Sequence, residues 1–174
     1  MLNLFLILLG FISAINNAIA EEDLESTGTN IEIIIFENLH KNNSNSNESK
    51  EFFSEHIGEL NKTHSTDFFD TTTPLKFLSH EYNKLNHNQN YKIILHATKH
   101  YNLLPSQKNK KFLINSPDFI GTLTITPTPA RNNAFNIAFD GIFANNRLTK
   151  SIKIKSKEVY YFDHPIFGAL VTVR

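Results

Sequence analysis

The chain contains no cysteine, no tryptophan and no excess of either charge, with 17 Lys and Arg residues against 17 Asp and Glu. Without cysteine the fold has no disulfide staples, and an exported form has no cysteine to carry a lipid behind its signal. Balanced charge produces no strong overall field, so neither nucleic acid nor a membrane surface is indicated as a partner. Without tryptophan, the strongest sugar-stacking side chain is missing.

The first twenty residues are interpreted as an export signal. Residues 2–15 are almost continuously apolar, but the run is too short to span a bilayer as a helix. Ala18-Ile19-Ala20 has the small-x-small form of a signal peptidase site. No Lys or Arg precedes the run, so an uncleaved anchor is the alternative. Cleavage leaves 174 − 20 = 154 residues, expected in the periplasm without stable membrane insertion.

Composition and periodicity indicate one domain over residues 31–174, preceded by a flexible leader at residues 21–30. Residues 31–36 are apolar on both faces, which predicts a central strand. Residues 41–50 are rich in Asn and Ser and bury little, so they are interpreted as a loop or disordered insertion.

Two helices are predicted between this insertion and the later strands. The first is short and follows the helical spacing of Phe53, Ile57 and Leu60. The second begins with Thr73 as the N-cap and Pro74 at the first helical position.

The rest of the chain alternates between apolar and polar residues with period two, which predicts strands. The predicted strands are residues 91–98, 119–126, 135–140, 148–162 with a bend near Ser156, and 166–173. Residues 103–111 are interpreted as a basic loop. These elements predict an α+β fold, a mainly antiparallel sheet with one or two helices packed on one face, for which a ferredoxin-like arrangement is one option.

Eight histidines raise the question of a metal site. His80 and His87 are seven residues apart near the end of a helix, and His96 and His100 are four apart near the end of a strand. No H-E-x-x-H sequence is present, and there is no cysteine to complete a zinc set. Surface or core histidines are therefore favoured, and no metal or other cofactor is expected.

Asp163 and His164 admit two interpretations. They could be an acid and the imidazole that it orients for nucleophilic catalysis. Neighbouring residues in a tight turn usually point apart, however, and no Gly-x-Ser-x-Gly sequence supplies a nucleophile. The favoured interpretation is structural, with Asp163 closing the turn and His164 held extended before Pro165. No enzyme activity is expected.

A row of lysines precedes this turn. In a strand, Lys153, Lys155 and Lys157 would share one face, and their ammonium groups could contact carboxylates of an anionic polymer. The alternative is a solvated face, or an edge strand that its lysines protect from pairing with another chain.

The aromatic residues beside the turn divide into two sets. Tyr160 and Phe162 lie on one face of the predicted strand, and Val159 and Tyr161 lie on the other. One set must reach the core. The other could stack on sugar rings or contact a partner.

The run from Glu158 to Gly168 also has a family resemblance. It resembles the closing signature of the CsiV family, exported proteobacterial proteins described as peptidoglycan-binding. The matching residues are Glu158, Tyr161, Phe162, Asp163, His164, Pro165, Phe167 and Gly168. Residues 31–37, 85–96 and 121–125 resemble other parts of the family pattern in the right order. The chain departs from it in Ala97-Thr98-Lys99-His100, and in having lysines where the family has an Arg-rich lead into the signature.

The resemblance implies a non-enzymatic periplasmic protein that binds peptidoglycan. It would support wall synthesis together with an outer-membrane lipoprotein that activates a class A penicillin-binding protein. The candidate polymer contacts are Lys153, Lys155, Lys157 and Tyr160. Two alternatives are an envelope protein–protein interaction module without polymer binding, and a cell-wall hydrolase that uses Asp163 and His164.

Overall fold

The computed structural model describes residues 28–41, 68–71, 77–102, 109–128 and 134–174. Several predicted features lie outside these ranges, namely the signal peptide, most of the leader and of the Asn-rich insertion, the first helix, and the Thr73-Pro74 start of the second. No helix within the described ranges is long and apolar enough to cross a membrane.

The described ranges contain eight strands, one α-helix and one 3-10 turn. In chain order they are β1 (Gly28–Asn38), the 3-10 turn (Leu39–Lys41), α1 (Ser79–Asn86), β2 (Tyr91–Asn102), β3 (Lys110–Asn115), β4 (Phe119–Pro127), β5 (Ala134–Phe143), β6 (Asn146–Lys155), β7 (Val159–Asp163) and β8 (Phe167–Val173). Sheet A has the order β2-β1-β8-β7 and sheet B the order β3-β4-β5-β6. Every pairing between these strands is antiparallel.

The main core lies between the two sheets, and all eight strands contribute one face to it. In β1 the inward residues are Ile31, Ile33 and Ile35, and each is fully buried. Ring contacts cross from sheet to sheet, for example between Phe139 of β5 and Phe162 of β7, whose centroids are 5.2 Å apart. Burial of one such side chain is worth about 1.5–3 kcal/mol, so this layer supplies most of the stabilisation.

A second, smaller cluster lies on the opposite face of sheet A. Ile34 and Phe36 of β1 are buried there against Leu78, and Tyr82 and Leu85 of α1 pack on the same cluster. Both faces of β1 are therefore covered. The prediction of a central strand with two buried faces is confirmed, since β1 lies between β2 and β8.

The predicted α+β class with mainly antiparallel strands is confirmed, but the strands form two sheets. The reason is the bend near Ser156, where the predicted strand of residues 148–162 divides into β6 of sheet B and β7 of sheet A. Lys157 takes the positive φ of 71° that this corner requires. The ferredoxin-like arrangement and the packing of a second helix stay predictions, because a single helix lies in the described ranges.

Three element boundaries differ from the prediction. β1 begins at Gly28, inside the predicted leader, because its polar first residues pair with β2 through the backbone. β3 begins in the last two residues of the predicted basic loop and continues through residues 112–114, which are apolar but do not alternate with polar residues. The helix begins at Ser79 after Leu78, whose side chain makes no capping bond.

Candidate functional site

The predicted site residues gather where the chain passes from one sheet to the other. β6 is an edge strand of sheet B, β7 is an edge strand of sheet A, and three residues connect them, Ser156, Lys157 and Glu158. The first two of these residues bond to the end of β8. Ser156 Oγ donates to the Val173 carbonyl at 3.3 Å, and the Lys157 N–H donates to the same oxygen at 2.8 Å. The connection is therefore fixed to the core of sheet A.

The basic corner, defined as Lys153, Lys155 and Lys157, is exposed throughout. Lys153 and Lys155 lie on the outer face of β6, opposite the buried Ile154, as predicted. Lys157 does not continue their row, which corrects the prediction, because the strand ends at Lys155 and the left-handed backbone of Lys157 turns it away.

Counter-charges are sparse at the basic corner. Lys155 Nζ lies 3.9 Å from Glu158 Oε1, a long and exposed ion pair that is worth little in water. Lys153 and Lys157 have no carboxylate partner among the described residues. Three ammonium groups thus face solvent within a short stretch of chain. The position of Lys153 and Lys155 on an edge strand also agrees with the protective role that lysines have at sheet edges.

Tyr160 belongs to the inward-facing set, together with Phe162. Its ring packs against the core between the sheets. Its hydroxyl donates to the Glu158 carboxylate and accepts the Lys155 N–H at 3.0 Å. The bond to Glu158 raises the pKa of Tyr160. Tyr160 is thus a brace between the two strands, and its ring is a poor candidate for stacking on a polymer.

Tyr161 belongs to the outward-facing set and is 48% exposed. Its hydroxyl donates to Asp163 Oδ1 at 2.7 Å. Its ring is nearly parallel to that of Phe36, with centroids 5.9 Å apart and planes at 14°. Partial burial and the bond to the Asp163 carboxylate raise the pKa of Tyr161. The ring is therefore fixed in place although one side of it faces water.

Gly168 makes this arrangement of rings sterically allowed. A Cβ at Gly168 would lie 2.7 Å from Tyr161 Cε2 and 2.8 Å from Phe36 Cζ, both well inside contact distance. Gly168 also pairs with Asp163 across the hairpin. The glycine of the signature is thus explained by the two aromatic rings that meet over its backbone.

The turn between β7 and β8 is closed by His164. Its ring Nδ1 accepts the Ile166 N–H at 3.2 Å, and the backbone N–H of His164 donates to the Phe167 carbonyl at 3.0 Å. The prediction that Asp163 closes the turn is wrong, because the Asp163 carboxylate is engaged by the Tyr161 hydroxyl instead. Pro165 is exposed at the tip, and Phe167 returns the chain to the core.

Asp163 and His164 therefore bind different partners. In the part of the chain that the structure describes, neither side chain bonds to the other, and the one hydroxyl bonded to Asp163 is the phenol of Tyr161. The carboxylate–imidazole–nucleophile order of a catalytic triad is not assembled by these contacts. The hydrogen bonds of Asp163 and His164 hold the turn and its neighbouring ring in place, as the favoured interpretation of the sequence expects.

Sequence reasoning missed a second polar site, at Glu32 on the outer face of sheet A. Glu32 is 0% exposed. Its Oε2 accepts the N–H groups of Phe77 at 2.9 Å and Leu78 at 3.1 Å. Its Oε1 lies 2.6 Å from His96 Nε2, and the ring of Tyr82 stacks on His96 with centroids 5.0 Å apart.

Glu32 therefore does the work of a helix cap from another part of the chain. The residue before α1 has no capping side chain of its own, and the two N–H groups that lead into the helix bond to the buried carboxylate. The available signal was a single acid inside the run Ile31-Glu32-Ile33. A charge in a strand with two buried faces needs partners.

The described ranges contain no group of three or more His, Cys, Asp or Glu side chains that could hold a metal ion. Glu32 and His96 form a pair to which the described part of the chain adds no third ligand of this kind. His87 Nδ1 is hydrogen-bonded to the Asn83 carbonyl, and His100 Nδ1 lies 2.8 Å from Asn30 Oδ1.

An ion pair also lies on the outer face of sheet B. Arg147 donates from Nε and from Nη2 to the two oxygens of Asp140, at 2.8 and 2.7 Å, and Thr149 Oγ1 donates to the same carboxylate. The hydrogen bond from Arg147 lowers the pKa of Asp140. Because both ends of the fork are engaged, this pair is a cross-strand link between β5 and β6.

No family model, curated protein or solved structure matches this chain. The similarity of the closing signature to the CsiV family thus rests on the residues quoted above. The features that bear on function are the basic corner and the terminal hairpin, defined as β7, β8 and the turn between them.

Proposed function

We propose that this protein is a non-catalytic periplasmic protein that binds peptidoglycan and supports cell-wall synthesis. In this role it acts beside an outer-membrane lipoprotein that activates a class A penicillin-binding protein. The observation that carries the proposal is the basic corner, three exposed lysines for which the described residues supply one long ion pair. The predicted export signal and the closing signature add support from the sequence.

The chemistry of the ligand agrees with the charge of the basic corner. Stem peptides of a cell wall carry carboxylates, and an ammonium group attracts them without demanding a fixed angle. The lysines remain hydrated, so each contact is weak and screened by salt over a distance of about 8–10 Å. A polymer that offers many carboxylates can sum such contacts, because each bound site raises the effective concentration at the next.

The bonds of the terminal hairpin support a binding role over a catalytic one. His164 Nδ1 accepts a backbone N–H, so this nitrogen is not available as a general base. Asp163 accepts the phenol of Tyr161 instead of orienting the imidazole. A hydrolase in which Asp163 orients the imidazole through Nδ1 would first have to break the bond from the Ile166 N–H to that nitrogen.

The test is co-sedimentation of the purified protein with insoluble sacculi at low salt. The wild type is expected in the pellet, and added salt is expected to release it. The double variant Lys153→Glu/Lys155→Glu should pellet several-fold less. A matched control is Lys84→Glu/Lys92→Glu, which changes the net charge equally at two exposed lysines of α1 and β2.

The outcomes separate three results. If both double variants still pellet like the wild type, the basic corner is not the binding site. Equal loss in both double variants points to net charge instead of a site. A wild-type protein that stays in the supernatant at low salt contradicts direct wall binding altogether.

A second candidate function is a protein-interaction module of the envelope that binds no polymer. It is favoured by β7, an edge strand whose outward residues Val159 and Tyr161 are 37% and 48% exposed. Edge strands with exposed apolar side chains can pair with an extended segment of a partner. Pull-downs with and without wall material distinguish the two candidates, since this module should capture the same partner when no polymer is present.

A further inference from the structure

Tyr161 is the exposed aromatic side chain that the sequence could not separate from Tyr160. It lies on the outer face of an edge strand, 48% exposed, two residues from the half-exposed Val159 and two from Asp163. An exposed tyrosine on a protein surface is common and by itself needs no explanation. The unusual feature of Tyr161 is that its exposed ring is held in one position.

Three contacts hold the ring. The hydroxyl donates to Asp163 Oδ1 at 2.7 Å, the ring edge lies over the backbone of Gly168, and the ring runs nearly parallel to Phe36. Phe36 is itself buried and braced edge-on by Tyr91, with centroids 5.3 Å apart. A ligand that stacks on Tyr161 would therefore meet a ring that is already ordered, and the entropic cost of binding would be small.

The polar neighbour of the ring narrows the ligand class. Asp163 is exposed, and one of its two oxygens is used by Tyr161, which leaves the other able to accept a hydroxyl proton. The ring itself offers a π face with negative charge, which attracts the polarised C–H groups along one side of a sugar ring. A flat ring beside a carboxylate acceptor suits a pyranose with free hydroxyl groups.

We propose that Tyr161 and Asp163 form a glycan subsite, in which a pyranose of an amino-sugar polymer stacks on the Tyr161 ring and donates a hydroxyl to Asp163. This inference rests on the proposed function and deepens it. The basic corner takes carboxylates of the peptide part, and the Tyr161 subsite takes the glycan part. The two contacts differ in one measurable property, because stacking is much less sensitive to salt than ammonium–carboxylate attraction.

The first experiment is isothermal titration calorimetry with a soluble β-1,4-linked hexamer of N-acetylglucosamine. Tyr161→Leu is expected to bind about tenfold more weakly than the wild type. Tyr161→Phe keeps the ring and should stay within about threefold of the wild type. The melting temperature of each variant is measured in parallel. If Tyr161→Leu binds like the wild type, or if Tyr161→Phe loses as much as Tyr161→Leu, the ring is not the binding surface.

A second experiment avoids a variant that a truncated side chain could destabilise. The protein contains no tryptophan, so Tyr161→Trp introduces a single indole that still offers a stacking face. Its emission should change in a saturable way with the hexamer, also at high salt. Phe68→Trp, at another half-exposed aromatic position, is the matched control and should not respond. A response of equal size in both variants, or in neither, overturns the subsite.

The two proposals fail separately. A wild-type protein that pellets with sacculi but ignores the soluble hexamer overturns the glycan subsite and leaves the basic corner in place. A wild-type protein that binds the hexamer through Tyr161 but does not pellet at low salt overturns wall binding and leaves a sugar site.

Discussion

Strands β1 and β6 belong to the same domain and use charged side chains in opposite ways. β1 has six consecutive buried residues and holds Glu32 completely inside, with three donors around its carboxylate. β6 buries only Leu148 and Ile154 and keeps its lysines in water. A charge in the first setting is part of the structure, because burying it unpaired would cost several kcal/mol. A charge in the second setting is available to a partner.

The largest expected effect comes from the buried charge. Glu32→Ala leaves the N–H groups of Phe77 and Leu78 and the imidazole of His96 without their acceptor, so we expect a loss of about 3–5 kcal/mol in the free energy of unfolding. Glu32→Gln keeps an oxygen for the two N–H groups and should lose about 1–2 kcal/mol. Urea denaturation measures both.

The control for this prediction comes from the other strand. Lys153→Ala removes an exposed charge from β6 and should change the free energy of unfolding by less than about 0.5 kcal/mol. A Glu32→Ala variant as stable as Lys153→Ala would remove the contrast between the two strands.

An intermediate effect is expected at Gly168, which contacts both the buried Phe36 and the exposed Tyr161. Gly168→Ala places a methyl group against Phe36 and Tyr161, and we expect a loss of about 1–3 kcal/mol. Phe36 is buried on all sides, whereas the half-exposed Tyr161 can shift only if it gives up its bond to Asp163 and its place over Phe36. Thermal denaturation of Gly168→Ala in the wild-type and Tyr161→Ala backgrounds measures how much of the loss each ring causes. No loss in either background would contradict the close approach.

The smallest effect is expected at the exposed ion pair of sheet B. Arg147 lowers the pKa of Asp140, so the native carboxyl releases its proton at a lower pH than in the unfolded chain, where its pKa is about 3.9. The stabilisation is therefore present above that pH and is lost as the pH falls through the native pKa. Asp140→Asn should lose up to about 1 kcal/mol at neutral pH and almost nothing in strong acid. Denaturation curves at several pH values measure this, and an equal loss at all pH values would contradict it.

The sequence predicted most of the strands because their period-two alternation follows from which face meets the core. It did not predict that they divide between two sheets, since the bend near Ser156 reads the same whether the chain stays in one sheet or leaves it. β3 was missed because its adjacent apolar residues do not alternate. The two aromatic sets of β7 were separated correctly, but only packing decides that Tyr160 faces the core and Tyr161 faces water.

The long-range polar contacts were beyond the sequence for a different reason. The partners of Glu32 lie 45, 46 and 64 positions away in the chain, and no local spacing rule connects them. The role of His164 was predicted in kind, as a residue that shapes the turn. The atom that closes the turn was not predicted. Asp163 has the higher propensity to bond to the backbone of a turn, but its carboxylate accepts the Tyr161 hydroxyl instead.

Binding without bond cleavage is the central claim, and one incubation measures both parts of it. Purified protein is mixed with sacculi at low salt, the pelleted protein is quantified, and the supernatant is analysed for soluble wall fragments over a long incubation. The account predicts protein in the pellet, no fragments, and the same pellet for His164→Gln. Fragments that the wild type releases and His164→Gln does not would contradict it.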